Sequence, residues 1–149
     1  MNPAFMHNIG ALLTAAACDL VSLSTSNDGS EIDGAYVDRS GHLSAKLVIA
    51  FEAALTEDET LTVAANLQDD ADGAGAGTDY GDALASAVVA TGGSGGTTER
   101  GVAVLDVDLA GAKQFIRPQY TLSLSAGSSD TVLGAAVLIL GPKQETPNA

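Results

Sequence analysis

The sequence predicts an all-β fold, a jelly-roll-like or Greek-key β-sandwich with an N-terminal arm or short helix. Three observations carry this. Apolar and polar residues alternate with period two over stretches of strand length, as with Leu47, Ile49 and Phe51 against Lys46 and Glu52. Clusters of Gly, Ser, Asn, Asp and Glu punctuate those stretches at 26–30, 56–59, 92–96 and 127–130. Strands do not alternate with helical segments, so the pattern is not that of a parallel α/β sheet.

Residues 1–18 read as the arm. Ile9, Leu12 and Leu13 have helical spacing and an Ala-rich run follows, so the arm is either a short helix or extended. The small residues before Cys18 faintly resemble a lipoprotein cleavage site. However, no Lys or Arg precedes the apolar part and Ala15 stands three residues before the cysteine, so a leader is disfavoured. The sandwich is expected over 19–141, with 142–149 as a tail. Residues 19–25 alternate as a first strand, and 31–41 reads as a loop or short edge strand. Residues 44–55 form a strand with Leu47, Ile49, Phe51 and Leu55 on one face. Residues 60–67 form the next, with Leu61, Val63, Ala65 and Leu67 inward, and the two read as a hairpin about an acidic turn. A long polar loop is expected over 68–81. Residues 82–91 follow as a strand, with a helix as the competitor because of the alanines. In 101–109, Leu105, Val107 and Leu109 point inward and Asp106 and Asp108 outward. At the C-terminal end, Tyr120, Leu122, Leu124 and Ala126 alternate with Thr121, Ser123 and Ser125. Residues 131–140 are apolar on both parities. These two strands read as a β-hairpin whose second member is covered on both sides.

A chain of 149 residues is long enough for one domain with a full core. Nineteen acidic side chains against six basic ones give a formal net charge of −13. Such a surface repels nucleic acid and anionic lipid, so neither is an expected partner. No apolar run reaches the roughly 20 residues of a membrane helix. An aromatic content of 4% with no Trp leaves few stacking platforms for sugars. Cys18 is the one cysteine, so the fold is held by packing or by self-association, not by an intrachain disulfide.

No chemistry assembles from the motifs. Asp69, Asp70, Asp72, Gly73 and Asp79 resemble half of a Ca²⁺ loop. Yet Gln68 stands where the first Asp belongs and no Glu closes the loop, so a solvated acidic loop is the preferred reading. His7 and His42 are far apart and read as surface residues. Ser44 beside His42 makes no triad, and Cys18 has no basic neighbour to activate it. The Gly-rich segments 73–77 and 92–96 lack the Lys-Ser/Thr of a phosphate loop. Pro118 marks a strand start or an edge. Arg117 either pairs across an interface or neutralises Asp106 or Asp108 on a neighbouring strand, and the second is preferred. No catalytic, cofactor-binding or metal-binding residue is assigned, and the expectation is a protein without enzymatic activity.

Phe115, Ile116 and Arg117 are followed by the alternating strand 120–126, the turn 127–130 and a small-residue-rich strand ending at Gly141. Upstream, 44–70 reads as strand, turn and strand running into acidic residues. Together, over 44–141, this resembles small virion proteins of tailed bacteriophages, most of all the capsid cement (decoration) proteins of jelly-roll type. The resemblance implies a structural role: trimers on the outer capsid surface, clamping subunits of the major capsid protein, made in the bacterial host cytoplasm. Apolar and aromatic anchors dominate most interfaces, so the candidate contact residues are Phe5, Ile9, Leu12, Leu13, Phe115, Ile116 and Arg117. The alternatives are a phage tail or head-completion component, or a carbohydrate-binding, adhesin-like sandwich. An enzyme ranks last.

Overall fold

The computed structural model describes residues 14–17, 21–24, 29–125 and 129–143, the first two stretches in backbone only. Every element in them is a strand: β1 (Thr14–Ala17), β2 (Val21–Ser24), β3 (Glu31–Asp33), β4 (Val37–Asp38), β5 (Ser44–Leu55), β6 (Thr60–Asp70), β7 (Thr78–Thr91), β8 (Thr97–Asp108), β9 (Phe115–Leu124) and β10 (Thr131–Leu140). They form two antiparallel sheets packed as a sandwich. The first has the order β1-β10-β5-β8, with β2 also on β10. The second has the order β3-β9-β6-β7, with β4 also on β9. β1 and β2 pair with successive lengths of β10, as β3 and β4 do with β9, so each couple acts as one interrupted strand. The result is a jelly roll, in which the chain passes back and forth between the sheets.

That topology corrects both expected hairpins. β5 and β6 lie in different sheets, and so do β9 and β10. The turns between them are crossovers, because each strand buries one face and the chain must bring the next apolar face down from the opposite side. Of the long strands, β6 and β7 are the consecutive pair that are also neighbours. The polar stretch 68–81 is strand at both ends and a loop only over 71–77, since β6 runs to Asp70 and β7 starts at Thr78. Gln68 and Asp79 face each other across that ladder, so their polarity reflects an outward face and not a loop. β7 is a strand and not a helix. It is the edge of its sheet, and its register to β6 shifts at several points, as edge strands do when they twist away from further pairing. β1 pairs with β10 and is thus drawn into the sheet.

The core lies between the sheets. Leu47, Ile49, Phe51, Ala53 and Leu55 of β5 face Leu61, Val63, Leu67, Leu122 and Leu124 of the second sheet, all buried. The period-two reading of β5, β6 and β8 holds in detail. Phe51 sits between Gly134 of β10 and Gly101 of β8, its partners on either side. A Cβ on Gly101 would lie 2.6 Å from Phe51 Cζ, so the ring occupies the space that Gly101 leaves empty, while the space at Gly134 is filled by Leu122.

Polar side chains tie the crossovers. Asp130 is buried, and its Oδ1 accepts from the Thr56 amide at 2.9 Å and from Thr56 Oγ1 at 2.8 Å. This joins the β5–β6 turn to the start of β10. Arg39 donates from Nε to the Lys113 carbonyl at 2.8 Å and from Nη2 to the Ala112 carbonyl, clamping the β8–β9 crossover. His42 is buried, not on the surface as expected. Its Nδ1 donates to the Gly141 carbonyl, closing the end of β10 over the start of β5.

Candidate interaction surfaces

The two sheets turn chemically opposite faces outward. On the first sheet the ladder register places Val48, Ala50, Val102, Val104, Ala135 and Val137 side by side on one outer band. Val102 is 64% exposed, Leu133 46% and Val104 40%. The expectation that β10 is covered on both sides is therefore corrected: its second apolar face is left open by the described residues of one copy. A row of charge closes each end of the band. Lys46 Nζ lies 2.6 Å from Asp106 Oδ1 at one end, and Arg100 Nε lies 2.6 Å from Glu52 Oε2 at the other.

The outer face of the second sheet is polar over β6 and β9, with Val88 of the edge strand β7 exposed beside them. Asn66 Nδ2 donates to Gln119 Oε1 at 2.8 Å and to Asp79 Oδ1 at 3.0 Å. Gln119 Nε2 donates to Glu31 at 2.8 Å and also to Asp33. Arg117 belongs to this network. It donates to Gln68 Oε1 from Nε and Nη2, its Nη1 lies 3.2 Å from Asp33 Oδ2, and its guanidinium stacks 5.0 Å from the Tyr36 ring centre. The expected pairing of Arg117 with Asp106 or Asp108 is corrected, because β8 is in the other sheet. A shallow groove of about 270 Å³ runs over this face, with Glu31, Asn66 and Asp79 beside Tyr80, Leu84 and several alanines in its lining.

Of the candidate contact residues, Ile116 is fully buried in the core and offers no surface. Phe115 is half-buried, with its ring against Gly73. Phe5, Ile9, Leu12 and Leu13 lie outside the described residues, as do His7 and Cys18. The acidic residues expected to resemble a Ca²⁺ loop do not converge on one point, although Asp70 and Asp72 share the Ala74 amide. Asp69 pairs with Lys113 at 3.0 Å, Asp70 accepts from the Ala71 and Gly75 amides, and Asp79 accepts from Asn66 and Gln68. Among the described residues, no three His, Cys, Asp or Glu side chains are placed to hold a metal ion. Sequence reading missed Arg39 and Asp130, whose roles depend on carbonyls and amides far away in the chain. It also missed the open band, whose signal was the second apolar parity of 131–140.

No protein-family model matches the chain, and no curated protein matches it in sequence. Among solved structures it is similar to the enzymatically active domain of tailspike protein 4 of bacteriophage CBA120, at 13% identity and a TM-score of 0.46, covering 86% of this chain and 19% of that one. It is also similar to the infectious bursal disease virus VP2 subviral particle, at 14% identity and a TM-score of 0.43, covering 91% and 34%. A third similarity is to a structure titled "CBM4 structure and function", at 11% identity and a TM-score of 0.37, covering 94% and 83%. The chain thus spans about a fifth to a third of the two viral proteins.

Proposed function

We propose that the protein is a structural virion component, a capsid cement protein that binds the outer surface of a shell of major capsid protein and bridges its subunits. The observation that carries the reading is the open apolar band on the first sheet of an otherwise acidic jelly roll. A contiguous apolar face rimmed by charge is a protein-binding feature, since leaving it in water forgoes about 25 cal/mol for each Å² that could be covered. Self-association covers that face; the resemblance implies three-fold rings, which a contact through this face would join in pairs. The arm, with Phe5, Ile9, Leu12 and Leu13, and the rim residue Phe115 supply the shell contact. Several weak contacts held by one oligomer rebind locally, so avidity exceeds each single affinity. The reading assigns no chemistry to the protein.

The test uses shells of the major capsid protein of the virion proposed to carry this chain, assembled without it. Full-length protein is expected to bind them and raise their melting temperature. A variant lacking residues 1–13 is expected to stay folded and bind more weakly. The truncation stops there because β1 is paired into the sheet. Full-length protein that neither binds nor protects such shells would overturn the reading.

A second reading, a carbohydrate-binding module, draws on the groove over the second sheet, where Glu31, Asn66 and Asp79 stand among apolar residues. Its carboxylates and amides match sugar hydroxyls in kind. Tyr80 is the aromatic residue in that lining, and its hydroxyl is taken up by the Asp108 carbonyl and the Gly111 amide. Specific glycan-array binding together with no shell binding would favour it.

A further inference from the structure

We infer that the open band on the first sheet binds a second copy of this chain face to face, about a two-fold axis lying across the strands at the level of Ile49. The inference deepens the self-association part of the proposal and does not depend on shell binding. Its basis is the register of the outward side chains. From one end to the other the rows read Ile139–Lys46–Asp106, Val137–Val48–Val104, Ala135–Ala50–Val102 and Leu133–Glu52–Arg100. A two-fold across the strands exchanges the first row with the last and the second with the third. Lys46 of one copy then meets Glu52 of the other, and Asp106 meets Arg100. Both in-chain ion pairs come to lie against a pair of opposite polarity, giving an alternating group of four charges at each end of the contact.

The apolar rows match as well. Val48 meets Ala50 and Val137 meets Ala135, a large side chain on a small one in each, while Val104 meets Val102 and Ile139 meets Leu133, so every row sets apolar on apolar as in a sandwich core. A two-fold running along β5 instead would set Lys46 on Lys46 and Glu52 on Glu52, which like-charge repulsion disfavours. The charges therefore disfavour that axis; one midway between β5 and β8 would also match them, but it would leave the outward side chains of β10 uncovered, so charge and apolar cover together favour the two-fold across the strands. Such a contact is isologous and closes with two copies. It coexists with a three-fold ring only if two rings pair through this face, giving six copies.

The experiment exchanges charges within rows. Lys46→Glu with Asp106→Lys keeps the in-chain ion pair but turns the first row's polarity round, so it meets like charges in the second copy. Adding Glu52→Lys and Arg100→Glu reverses the other row and restores the match. By sedimentation equilibrium, the native chain is expected to be a dimer or hexamer at tens of micromolar. The one-row exchange is expected to weaken the two-copy contact roughly tenfold or more, and the two-row exchange to recover it. Circular dichroism and melting of the variants check that each is folded. A native monomer or trimer would overturn the inference, and so would a one-row exchange that leaves association unchanged or a two-row exchange that fails to recover it. None of these outcomes bears on the shell-binding assay, so the two readings fail separately.

Discussion

Asp70 shows how one side chain orders a loop. Its Oδ2 accepts from the Gly75 amide at 2.9 Å and its Oδ1 from the Ala71 amide at 2.8 Å, curling the 71–77 segment round the carboxylate. The Gly75 bond, followed by those from Ala71 and Ala74, holds the carboxyl below its ordinary value of 3.8. A depressed folded value means that the stabilisation is full above the ordinary pKa and is lost as pH falls through the lower, folded one. The Gly75 amide resonance is therefore expected to titrate below pH 3.8 in the native chain, with no such step in Asp70→Asn; titration at or above 3.8 would contradict this. At Gly101 the constraint is steric. Any Cβ there meets the Phe51 ring, so Gly101→Val is expected to destabilise the fold by about 1–3 kcal/mol, read by urea unfolding. Adding Phe51→Leu should recover part of that loss, because the two positions share one space.

At the scale of elements, existence was legible and pairing was not. Alternation at Leu47, Ile49 and Phe51, or at Leu61, Val63 and Ala65, tells which side of a strand is buried. It does not tell which strand lies beside it, because both crossovers and hairpins join strands whose apolar faces point to the same core. The short turns at 56–59 and 127–130 suit either geometry in composition. What distinguishes them is distant: Asp130 reaching Thr56, and Arg39 reaching Ala112 and Lys113. The open band was half legible. The outward parity of Leu133 and Val137 was visible, but whether it is covered depends on what lies beyond the sheet. Arg39 gives the prediction at this scale. Its guanidinium supplies charged donors to carbonyls of the β8–β9 crossover, and hydrogen bonds to charged groups contribute about 1.5–3 kcal/mol each. Arg39→Ala is expected to lower stability by about 2–3 kcal/mol, and Arg39→Lys should not restore it, because one ammonium cannot reproduce the two-pronged contact. A midpoint within a few tenths of a kcal/mol of the native one would show that the clamp is not needed.

Over the whole molecule, net charge and the apolar face oppose each other. Each copy carries a formal −13, and sheets stacked about 10 Å apart place two sandwich centres about 20 Å apart. In water without salt, the repulsion between such charges is on the order of 30 kcal/mol. With a screening length of about 8 Å at physiological ionic strength it falls to roughly 3 kcal/mol. The row-to-row attraction of Lys46, Asp106, Glu52 and Arg100 acts at close range and is screened much less. Long-range repulsion therefore loses more to salt than the local attraction does. Association of the native chain is expected to strengthen as salt rises from about 10 to 150 mM, the reverse of what a contact held by ion pairs alone would show. Sedimentation at fixed protein concentration across that range reads the sign directly. The one-row exchange leaves net charge unchanged, so its salt response should run parallel to the native one at a weaker level throughout. Association that weakens steadily with added salt would mean that exposed ion pairs, and not the apolar band, hold the copies together.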